Sequence, residues 1–510
     1  MRTTIEERED MLKKTDYNVF NFPAAFTVVD LLSDSGSGAL TQHSWMSMFL
    51  GDEAYARNNW YYAFLEAFRD FVERGDDMKK SYMQLLDIQS NPQKFLNEFV
   101  NVPKTPGTYV NPGLEQLENP NAFILPQGRC CEYLLFSNLM SLCQAKKAGN
   151  YKVLSNGFFD TTRANAKIQG FEVLDLFDKD IEAPYPLEDV GPKNPFRGNI
   201  NLEKLEEILK KDSEHVALIV ITLTNNTGAG QPVSMKNIKA VRELSLKYNT
   251  PVWFDSARVH ENSGFIQMYE EGYSTKSIPE INKETYENGD GFHISMKKAL
   301  SNIGGFLSIK DGGLVMKQHP TLGKLLKKNQ IIIYGNDSYG TLSGKELAAA
   351  TMGLYEAMDE DYLATRISNT MYCARGLAKR GVPVVLPPGG HAIFINNNLM
   401  FPARKWDDFA GAGFVSELLR RYGIRGCELG YMAWELDVYV EKHGKMPEIM
   451  PPNLVRFAIP GNVYHKEHFD YFIKCVAELY DQRDEVPNVE ITRGKYDDLR
   501  HFTVGFKIKK

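Results

Sequence analysis

Short apolar runs alternate with amphipathic, helix-like segments in the middle of the chain. Between two of these runs, Ser234 can cap a helix that carries Ile238, Val241 and Leu244 on one face. This strand–helix–strand pattern repeats along the chain. It predicts a mostly parallel sheet with helices on its faces. The apolar runs occupy residues 151–154, 171–176, 216–222 and 252–254.

The pattern changes beyond about residue 345. A long helix-like stretch is followed by two short strand-like runs with tight turns and then by another helix. Local alternation of this kind is typical of an α+β unit rather than of a parallel sheet. These predicted elements lie at residues 344–379, 382–385, 391–395 and 409–422.

The two patterns divide the chain into predicted units. We expect a large domain at 51–340 and a smaller C-terminal α+β domain at 341–510, with an N-terminal segment, 1–50, that packs with the small domain. Residues 72–120 are rich in charge, Asn, Pro and Gly and lack a clean period after about residue 96. We interpret them as an inserted surface excursion that is partly helical.

The composition is that of an ordinary soluble protein. With 510 residues, 43% apolar content and a formal net charge of -6, the chain can bury a large core and has no basic excess that would favour nucleic acid as a partner. The charged N-terminus and a longest aliphatic stretch of only 216–221 argue against a signal peptide or a membrane span. The 6 Cys residues show no metal-ligand spacing, so reduced thiols in a cytoplasmic protein are expected.

Polar clusters follow the predicted strands at the point where each strand ends. In open α/β sheets, ligands bind beyond the carboxyl ends of the strands, so side chains from separate clusters can converge on one crevice. The clusters occupy residues 156–160, 225–226, 255–258 and 295–298.

The last two clusters combine a lysine with an acid in a pattern that suits an enzyme of pyridoxal 5'-phosphate (PLP). Such an enzyme needs one lysine to hold the cofactor aldehyde as a Schiff base and one acid to keep the pyridine nitrogen protonated. We expect Lys298 and Asp255 in these roles. Lys297 would help to deprotonate Lys298, and Arg258 would donate to the phenolate oxygen of the ring. Seen alone, the lysine pair also fits a solvated surface, and Asp255 also fits a helix cap.

A strand-to-helix turn at Gln127, Gly128 and Arg129 is a candidate phosphate site. Backbone N–H groups at a helix start bind phosphate, and glycine permits close approach. Many strand-to-helix turns contain glycine, so the motif is weak by itself. Phe159 can stack on the pyridine ring, although a lone aromatic residue more often packs in a core.

Taken together and in order, these stretches resemble the aromatic β-eliminating lyases, the PLP enzyme family of tryptophanase and tyrosine phenol-lyase. The resemblance covers most of the chain apart from 72–120, and an ordered series of matches is far more specific than any single motif. The matching stretches are 31–36, 51–55, 127–129, 156–162, 230–234, 255–258, 295–298, 455–460 and 499–503.

The resemblance implies an α/β fold of the type I PLP-dependent, aminotransferase-like class, with a large mostly parallel domain and a smaller α+β domain. It also assigns cofactor roles. Lys298 matches the Schiff-base lysine, and Asp255 and Arg258 match the partners of the pyridine nitrogen and the phenolate oxygen. Phe159 matches the ring-stacking aromatic residue. The residues that match phosphate contacts are Gly128, Arg129, Ser295 and Lys297, and Gln127, which precedes them in the turn, is a further cofactor-binding candidate.

The resemblance extends to the substrate side of the site. Arg456 matches the arginine that binds the substrate α-carboxylate, a role that suits its planar fork of donors. Asn226 matches an asparagine near the ring oxygen and the carboxylate, and Ser33 stands in place of a family threonine and is expected to bind substrate. Tyr55 matches a tyrosine implicated in protonating the leaving group. The family's monovalent-cation ligands, which add K+ to the implied cofactors, match Gly36, Glu53 and Asn302.

The identity of the substrate depends on fewer residues. Within the resemblance, Asp160 and His501 match the acid and the histidine that tryptophanases place around the indole. Leu429 stands where phenol-lyases bind the phenol oxygen with an arginine. Expelling indole requires a proton on ring carbon C3, and a placed acid contributes typically ~10²–10⁴-fold to such a step. We therefore expect a β-eliminating lyase that releases pyruvate and ammonia, with tryptophan as the first candidate substrate.

Several departures from the family keep other substrates open. Cys130 and Cys131 replace a Gly-Ala pair, and Gly461 replaces an arginine next to the carboxylate-binding stretch. The alternatives are a carbon–sulfur or carbon–oxygen β-lyase, an aldol-cleaving relative, or a non-catalytic PLP-binding scaffold that uses 72–120. The resemblance also implies a homotetramer built as a dimer of dimers, with an amino acid as its small-molecule partner.

Overall fold

The computed structural model of the chain describes residues 3–509 apart from short gaps. The predicted excursion at 72–120 therefore lies partly outside the described residues. A π-helical turn, Asp70–Arg74, leads into it, and its described part includes a short helix, Glu115–Glu118. The gaps are residues 37–38, 76–90, 96, 98–100, 102–106, 112, 114, 179–180, 182, 192–195, 299, 301 and 448–449.

The strands of the described residues form one large sheet and several smaller ones. In chain order they are β1 (Val29–Asp30), β2 (Ala122–Leu125), β3 (Lys152–Ser155), β4 (Glu172–Asp175), β5 (Val216–Thr222), β6 (Val252–Asp255), β7 (Gly291–Ser295), β8 (Gly305–Ile309), β9 (Ala392–Asn396), β10 (Ile424–Arg425), β11 (Cys427–Leu429), β12 (Leu454–Ala458), β13 (Val489–Arg493) and β14 (Gly505–Ile508).

The large sheet is mostly parallel, as predicted. Within the described residues its strands lie in the order β2-β8-β7-β6-β5-β3-β4. Strand β8 runs antiparallel to both β2 and β7, while the other neighbours pair in parallel. Strand β5 is buried along its whole length, which explains its uninterrupted apolar run: a parallel strand that is covered on both faces has no solvent side.

Helices cover both faces of this sheet. Trp253 and Phe254 are neighbours on β6 and therefore point to opposite faces, where they join two separate buried clusters. The helix after Ser234 begins as predicted, since the Ser234 hydroxyl accepts the Asn237 N–H at 3.1 Å. The α-helices are Ile5–Lys14, Gln42–Met48, Asn59–Arg69, Pro92–Phe95, Glu115–Glu118, Gly128–Lys146, Asp160–Ile168, Leu202–Asp212, Met235–Tyr248, Val259–Tyr269, Ile278–Glu287, Leu314–Gln318, Leu322–Ile333, Gly344–Ala357, Glu360–Ala378, Asn397–Met400, Ala410–Tyr422, Leu436–His443 and Lys466–Asp481.

The C-terminal part of the chain forms a smaller antiparallel sheet, β11-β12-β9, beside its own buried cluster. Strand β1, near the N-terminus, pairs in parallel with β10. The buried Arg8 donates to the backbone oxygens of Arg420 and Arg421 at 2.9 Å and 3.0 Å. These contacts join the first residues of the chain to its C-terminal part, while the three domain boundaries stay a prediction.

The helix-like stretch predicted at 344–379 is interrupted. It contains two helices, Gly344–Ala357 and Glu360–Ala378, because the Asp359 carboxylate accepts the Tyr362 N–H at 3.0 Å and caps a new helix. Neither of these helices, nor any other in the described part of the chain, is long and apolar enough to cross a membrane.

The strand predicted at 382–385 is shorter than expected. Val384 forms only an isolated bridge to Ile395 of β9. Pro383 has no N–H to donate to a ladder, and Pro387 follows closely, so the segment cannot extend into a regular strand.

Candidate active site

A cavity of about 330 Å³ lies beyond the carboxyl ends of β5, β6 and β7, the sheet edge at which the polar clusters were expected to meet. This volume is within the range of small-molecule sites. The N-terminal segment, the sheet and the C-terminal part all contribute to its wall. The sequence-predicted residues on that wall are Ser33, Gln127, Gly128, Arg129, Phe159, Asp160, Asp255, Arg258, Ser295, Lys297, Lys298, Arg456 and His501.

Lys298 lies half-buried on the cavity wall just after β7. Its Nζ donates to the Ser35 hydroxyl and lies 6.0 Å from the centroid of the Phe159 ring. The Gly36 N–H donates to the Lys297 carbonyl at 2.9 Å. The N-terminal segment is thus bonded to the lysine pair, and the Lys298 amine and the Phe159 ring lie on the same cavity wall.

A positive charge on Lys298 is disfavoured at this position. Burial lowers the pKa of Lys298 to about 8, and the cations of Arg258, Arg456 and Lys297 act in the same direction, while Asp34 opposes them. About a tenth of the amine is therefore neutral at pH 7, far more than for an ordinary lysine. A neutral amine can attack an aldehyde or accept a proton.

Asp255 ends β6 and is part of a buried acid cluster. Asp255 pairs in register with His293 of β7, so both side chains point to one face of the sheet. There, Nε2 of His293 lies 3.6 Å from Oδ1 of Asp255 and 3.6 Å from Oε1 of Glu132. Burial raises the pKa of Asp255; His293 opposes that rise and Glu132 adds to it. Asp255 is thus a carboxylate whose protonation is sensitive to its neighbours.

The same three side chains, Glu132, Asp255 and His293, carry the types of ligand atom that a metal ion binds. Their ligand atoms all lie within 4.8 Å of one another, a combination found once in the part of the chain that the structure describes. However, both oxygens of Glu132 already accept hydrogen bonds, from Thr162 at 2.8 Å and Asn165 at 2.9 Å. The donor set therefore fits a hydrogen-bonded cluster in which Asp255 can pair with a protonated ring nitrogen.

Arg258 has a partner that the sequence did not indicate. Its Nε and Nη2 each donate to Asp34 at 2.8 Å, and Asp34 also accepts from Arg366 at 3.3 Å. Burial by itself would raise the pKa of Asp34, but Arg258 holds it well below its ordinary value. The ion pair fixes the guanidinium on the cavity wall. The expected contact of Arg258 with a ring oxygen stays a prediction.

The turn at Gln127 places a helix N-terminus on the cavity wall. Gln127 is the N-cap of a 19-residue helix whose first backbone N–H groups have no partner within the helix and lie at its positive end. A Cβ at Gly128 would lie 2.8 Å from Cβ of Ser295, so glycine is needed for this close approach to β7. The arrangement fits a phosphate group. The same wall carries Arg129, Ser295 and Lys297.

Arg456, on β12, is a buried cation on the C-terminal side of the cavity. Its Nη1 donates to Oδ1 of Asn226 at 3.1 Å and its Nη2 to the Leu32 carbonyl at 2.8 Å. Nε2 of His391 lies 3.0 Å from the same Asn226 oxygen. Asn226 itself is not on the cavity wall and instead holds Arg456. A guanidinium fixed in this way suits recognition of a carboxylate.

Asp160 and His501 meet at an aromatic end of the cavity. Nε2 of His501 lies 3.2 Å from Oδ2 of Asp160, and its Nδ1 has no hydrogen-bond partner among the described residues. The rings of Phe20 and Phe502 pack edge-to-face with centroids 4.7 Å apart, and Leu429 lines the same cavity. Burial would raise the pKa of Asp160, but the hydrogen bond from His501 lowers it below the ordinary value. An apolar, aromatic surface thus surrounds one acid–base pair.

Tyr55 and the residues expected to bind a cation lie away from the cavity wall. Tyr55 is 69% exposed. Glu53 is exposed, and Asn302 is buried and donates to the Glu346 carbonyl at 2.6 Å. Gly36 contacts Lys297 through its backbone but is not on the wall of this single chain. The catalytic and cation-binding roles of these residues stay predictions.

Sequence reasoning gave no individual role to several residues at the site, among them Phe20, Asp34, Glu132 and His293. His293 interrupts an apolar strand two residues before Ser295, and a polar residue on the same face as Ser295 was the signal available. Asp34 lies inside a matched stretch, but its partner is 224 positions away in the chain.

Comparison with known proteins supplies a family. The model of the beta-eliminating lyases matches residues 30–475. A tryptophanase of Salinibacter ruber is 34% identical over 99% of this chain and 93% of its own length. A probable beta-eliminating lyase of Trichomonas vaginalis is also 34% identical, over 99% of this chain and 95% of its own. A tyrosine phenol-lyase of Clostridium tetani is 33% identical over 98% and 94%. Relatives with different substrates are thus about equally similar.

Solved structures supply the fold. The serine palmitoyltransferase of Sphingomonas wittichii superposes with a TM-score of 0.54 at 12% identity and covers 95% of this chain and 98% of its own. A further structure of SPT, which carries PLP, gives a TM-score of 0.53 at 12% identity over 94% and 97%. The predicted α/β, type I fold is confirmed, and at such identity the likeness shows the fold alone.

Proposed function

The chain belongs to the beta-eliminating lyase family and is a PLP-dependent lyase, and from this premise we propose that it cleaves an aromatic amino acid at Cβ, with tryptophan as the first candidate. The products are then pyruvate, ammonia and the leaving group, which is indole in the case of tryptophan. The observation that carries this proposal is the Asp160–His501 pair, 3.2 Å apart, in a cavity that Phe20 and Phe502 line.

The residues on the cavity wall fit PLP. When bound, PLP supplies an aldehyde that reacts with amines and a protonated ring that accepts the electron pair of Cα. Lys298 would hold the aldehyde, Asp255 would pair with the ring nitrogen, and Phe159 would cover one face of the ring. The helix start at Gly128 would bind the phosphate. Support comes from an amine of lowered pKa, a buried carboxylate and a close-approach glycine on one cavity.

Lys298 would also take the proton from Cα of the substrate. An amine with a pKa of about 8 is suited to this step, because it can accept a proton near neutral pH and release it again. Arg456 would bind the substrate carboxylate through its fork of donors and so orient Cα toward the lysine. Ser33 lines the same cavity and would contact the substrate beside Arg456.

The leaving group would occupy the aromatic end of the cavity. His501 would deliver the proton that ring carbon C3 of indole needs, and Asp160 would hold the histidine in place. A phenolate would call for a positive donor near its oxygen. Leu429, which lines this cavity, cannot supply one, and this favours indole over phenol.

Further properties are proposed on the resemblance to the family. We propose a homotetramer of active dimers in the cytoplasm, with a K+ site built from Gly36, Glu53 and Asn302. The exposed Tyr55 would then complete the site of a neighbouring subunit, which is consistent with its position away from the cavity of its own chain. The units 1–50, 51–340 and 341–510 are proposed as its domains.

The substrate proposal is tested with an amino-acid panel. Purified protein reconstituted with PLP is given tryptophan, tyrosine, S-methylcysteine, serine or threonine, and pyruvate release is followed continuously. We expect tryptophan to have the highest kcat/KM, with indole formed in equal amount. K298A should neither hold PLP covalently nor release pyruvate.

Other results would select the alternatives. If S-methylcysteine is cleaved well while wild type cleaves tryptophan no faster than H501F does, the aromatic proposal is wrong and a carbon–sulfur lyase replaces it. Glycine and acetaldehyde formed from threonine would indicate aldol cleavage. A protein that binds PLP and converts no amino acid of the panel is a scaffold.

A further inference from the structure

We propose that His293 is a positioning residue that holds the Asp255 carboxylate through its Nε2–H and shields it from the charge of Glu132. The inference rests on the proposed role of Asp255 as the partner of the PLP ring nitrogen. His293 lines the cavity beside Asp255, and in this role it would form no bond to substrate or cofactor. It would act through Asp255.

The pleat of the sheet brings these residues together. Trp253 and Asp255 are two residues apart on β6 and so point to the same face. His293 is the in-register neighbour of Asp255 on β7 and shares that face. Glu132 reaches the same point from the helix Gly128–Lys146, which begins at the phosphate turn. All four side chains are buried.

Trp253 fixes which nitrogen of His293 carries the proton. An indole N–H can only donate, and Nε1 of Trp253 lies 3.0 Å from Nδ1 of His293, so Nδ1 must accept. Burial disfavours charge on His293, yet Asp255 and Glu132 raise its pKa above the ordinary value. Protonation would break the Trp253 bond, so the geometry assigns the neutral form with its hydrogen on Nε2.

The Nε2–H then faces two carboxylates. Nε2 lies 3.6 Å from Oδ1 of Asp255 and from Oε1 of Glu132, just beyond hydrogen-bond length. Hydrogen bonds that are long in an empty site often shorten when the site is filled. Glu132 is ionised: burial by itself would raise its pKa, but the neighbouring His293 and the hydroxyl group of Thr162, which donates to Oε1 at 2.8 Å, lower the pKa below the ordinary value. Of the two carboxylates, Asp255 takes up a proton more readily, because its pKa is raised.

Loss of the Nε2–H would leave two buried carboxylates facing each other. Like charges at such a distance favour protonation of the one that is held less firmly, which is Asp255. A protonated Asp255 cannot offer a negative charge to the ring nitrogen of PLP. His293 therefore keeps Asp255 ionised, which is the form that pairs with the ring nitrogen of PLP. This role would explain why β7 carries a buried histidine between Phe292 and Ile294.

Two amide variants distinguish the effect of the Nε2–H donor from the effect of losing the imidazole ring. In H293Q the side-chain amide nitrogen lies at the level of Nε2 and can still donate to the carboxylates. In H293N the amide group lies at the level of Nδ1, where Trp253 donates, and no donor reaches the carboxylates. The variant H293N/E132Q additionally removes the charge that Asp255 would face.

The dissociation constant of PLP for the apoprotein is measured by quenching of protein fluorescence, with the visible spectrum of the loaded protein as second readout. We expect H293N to weaken PLP binding at least about tenfold, the effect of about one unit in the pKa of Asp255, and to shift the visible band. H293Q should stay within about threefold of wild type, and H293N/E132Q should recover most of the loss.

Equal losses in H293Q and H293N, or no recovery with E132Q, would mean that His293 serves packing only and would overturn the proposal. Unchanged PLP binding in H293N would overturn it as well. If H293N does not fold, as judged by circular dichroism, H293Q and E132Q carry the test: both should bind PLP within about threefold of wild type, and a large loss in either contradicts the inference. Wild-type protein that binds no PLP would contradict the proposed function instead.

Discussion

The carboxylate of Asp34 accepts both Nε and Nη2 of Arg258 at 2.8 Å. This bidentate ion pair ties the N-terminal segment to the end of β6, and both side chains are nearly inaccessible to solvent. Asp34 also accepts from Arg366, which bonds Glu261 at 2.7 Å. The position of Arg258 on the cavity wall thus depends on Asp34, a residue of the N-terminal segment.

D34N should destabilise the fold strongly. The substitution leaves the buried guanidinium groups of Arg258 and Arg366 without their shared negative charge, and removing one partner of a buried pair costs about 3–5 kcal/mol. Urea unfolding of the apoprotein measures the change. D16N is the matched control, because the Asp16–Arg493 pair is about half exposed, and it should change stability by less than about 0.5 kcal/mol. Similar losses in the two variants would contradict the buried network as drawn.

The rate at which Lys298 binds PLP covalently should depend on pH as expected for an amine with a pKa of about 8. Only the neutral amine attacks an aldehyde, and the pKa of Lys298 is about 8. The capture rate at fixed PLP concentration should therefore rise about tenfold from pH 7 to pH 9 and then level off. Stopped-flow absorbance gives the profile, with K298A as the blank. A rate that still increases about tenfold per pH unit up to pH 10 would indicate an ordinary lysine.

H501F should impair an aromatic leaving group more than a simple one. The phenyl ring keeps the packing against Phe20 and Phe502, while the substitution removes the imidazole that pairs with Asp160. We expect kcat/KM for tryptophan to fall by about 10²–10⁴-fold, while S-methylcysteine, whose thiolate leaves without a ring proton, loses less than about tenfold. Pyruvate release from both substrates tests this. Equal losses would assign His501 to general packing of the site.

Glu428 should make the fold less stable as the pH rises. Burial raises the pKa of Glu428 to about 7, although the backbone N–H groups of Met432 and Ala433 oppose the rise. Between the unfolded value of 4.5 and a folded value near 7, the folded state binds more protons than the unfolded state, so stability is present at low pH and is lost as pH rises through 7. Wild type should lose about 2 kcal/mol between pH 5 and pH 8 from this group.

E428Q isolates that contribution, because its amide is neutral at all these pH values. The stability of E428Q relative to wild type should rise by about 2 kcal/mol from pH 5 to pH 8 in parallel urea titrations. A difference that stays constant with pH would place the Glu428 pKa outside this window.

Local patterns were sufficient for much of the fold. The run 216–222 became β5 because a strand covered on both faces needs an unbroken apolar sequence, and Ser234 capped its helix because a hydroxyl satisfies a free N–H at a helix start. The stretch 344–379 shows the limit of this reasoning. Apolar periodicity continues across both helices, and the capping bond of Asp359 decides where the break occurs.

The sequence by itself determined the alternation of strands and helices between residues 151 and 254 and the mostly parallel type of the sheet, and the ordered matches indicated the family, because periodicity, caps and motif spacing are properties of neighbouring residues. Only the tertiary structure decided which polar residues share the cavity and what they bond. Asp34 with Arg258 and Trp253 with His293 are pairs whose members are 224 and 40 positions apart. Contacts at such separations depend on strand register and on how helices pack on the sheet, and neither is encoded in the local pattern around any one residue.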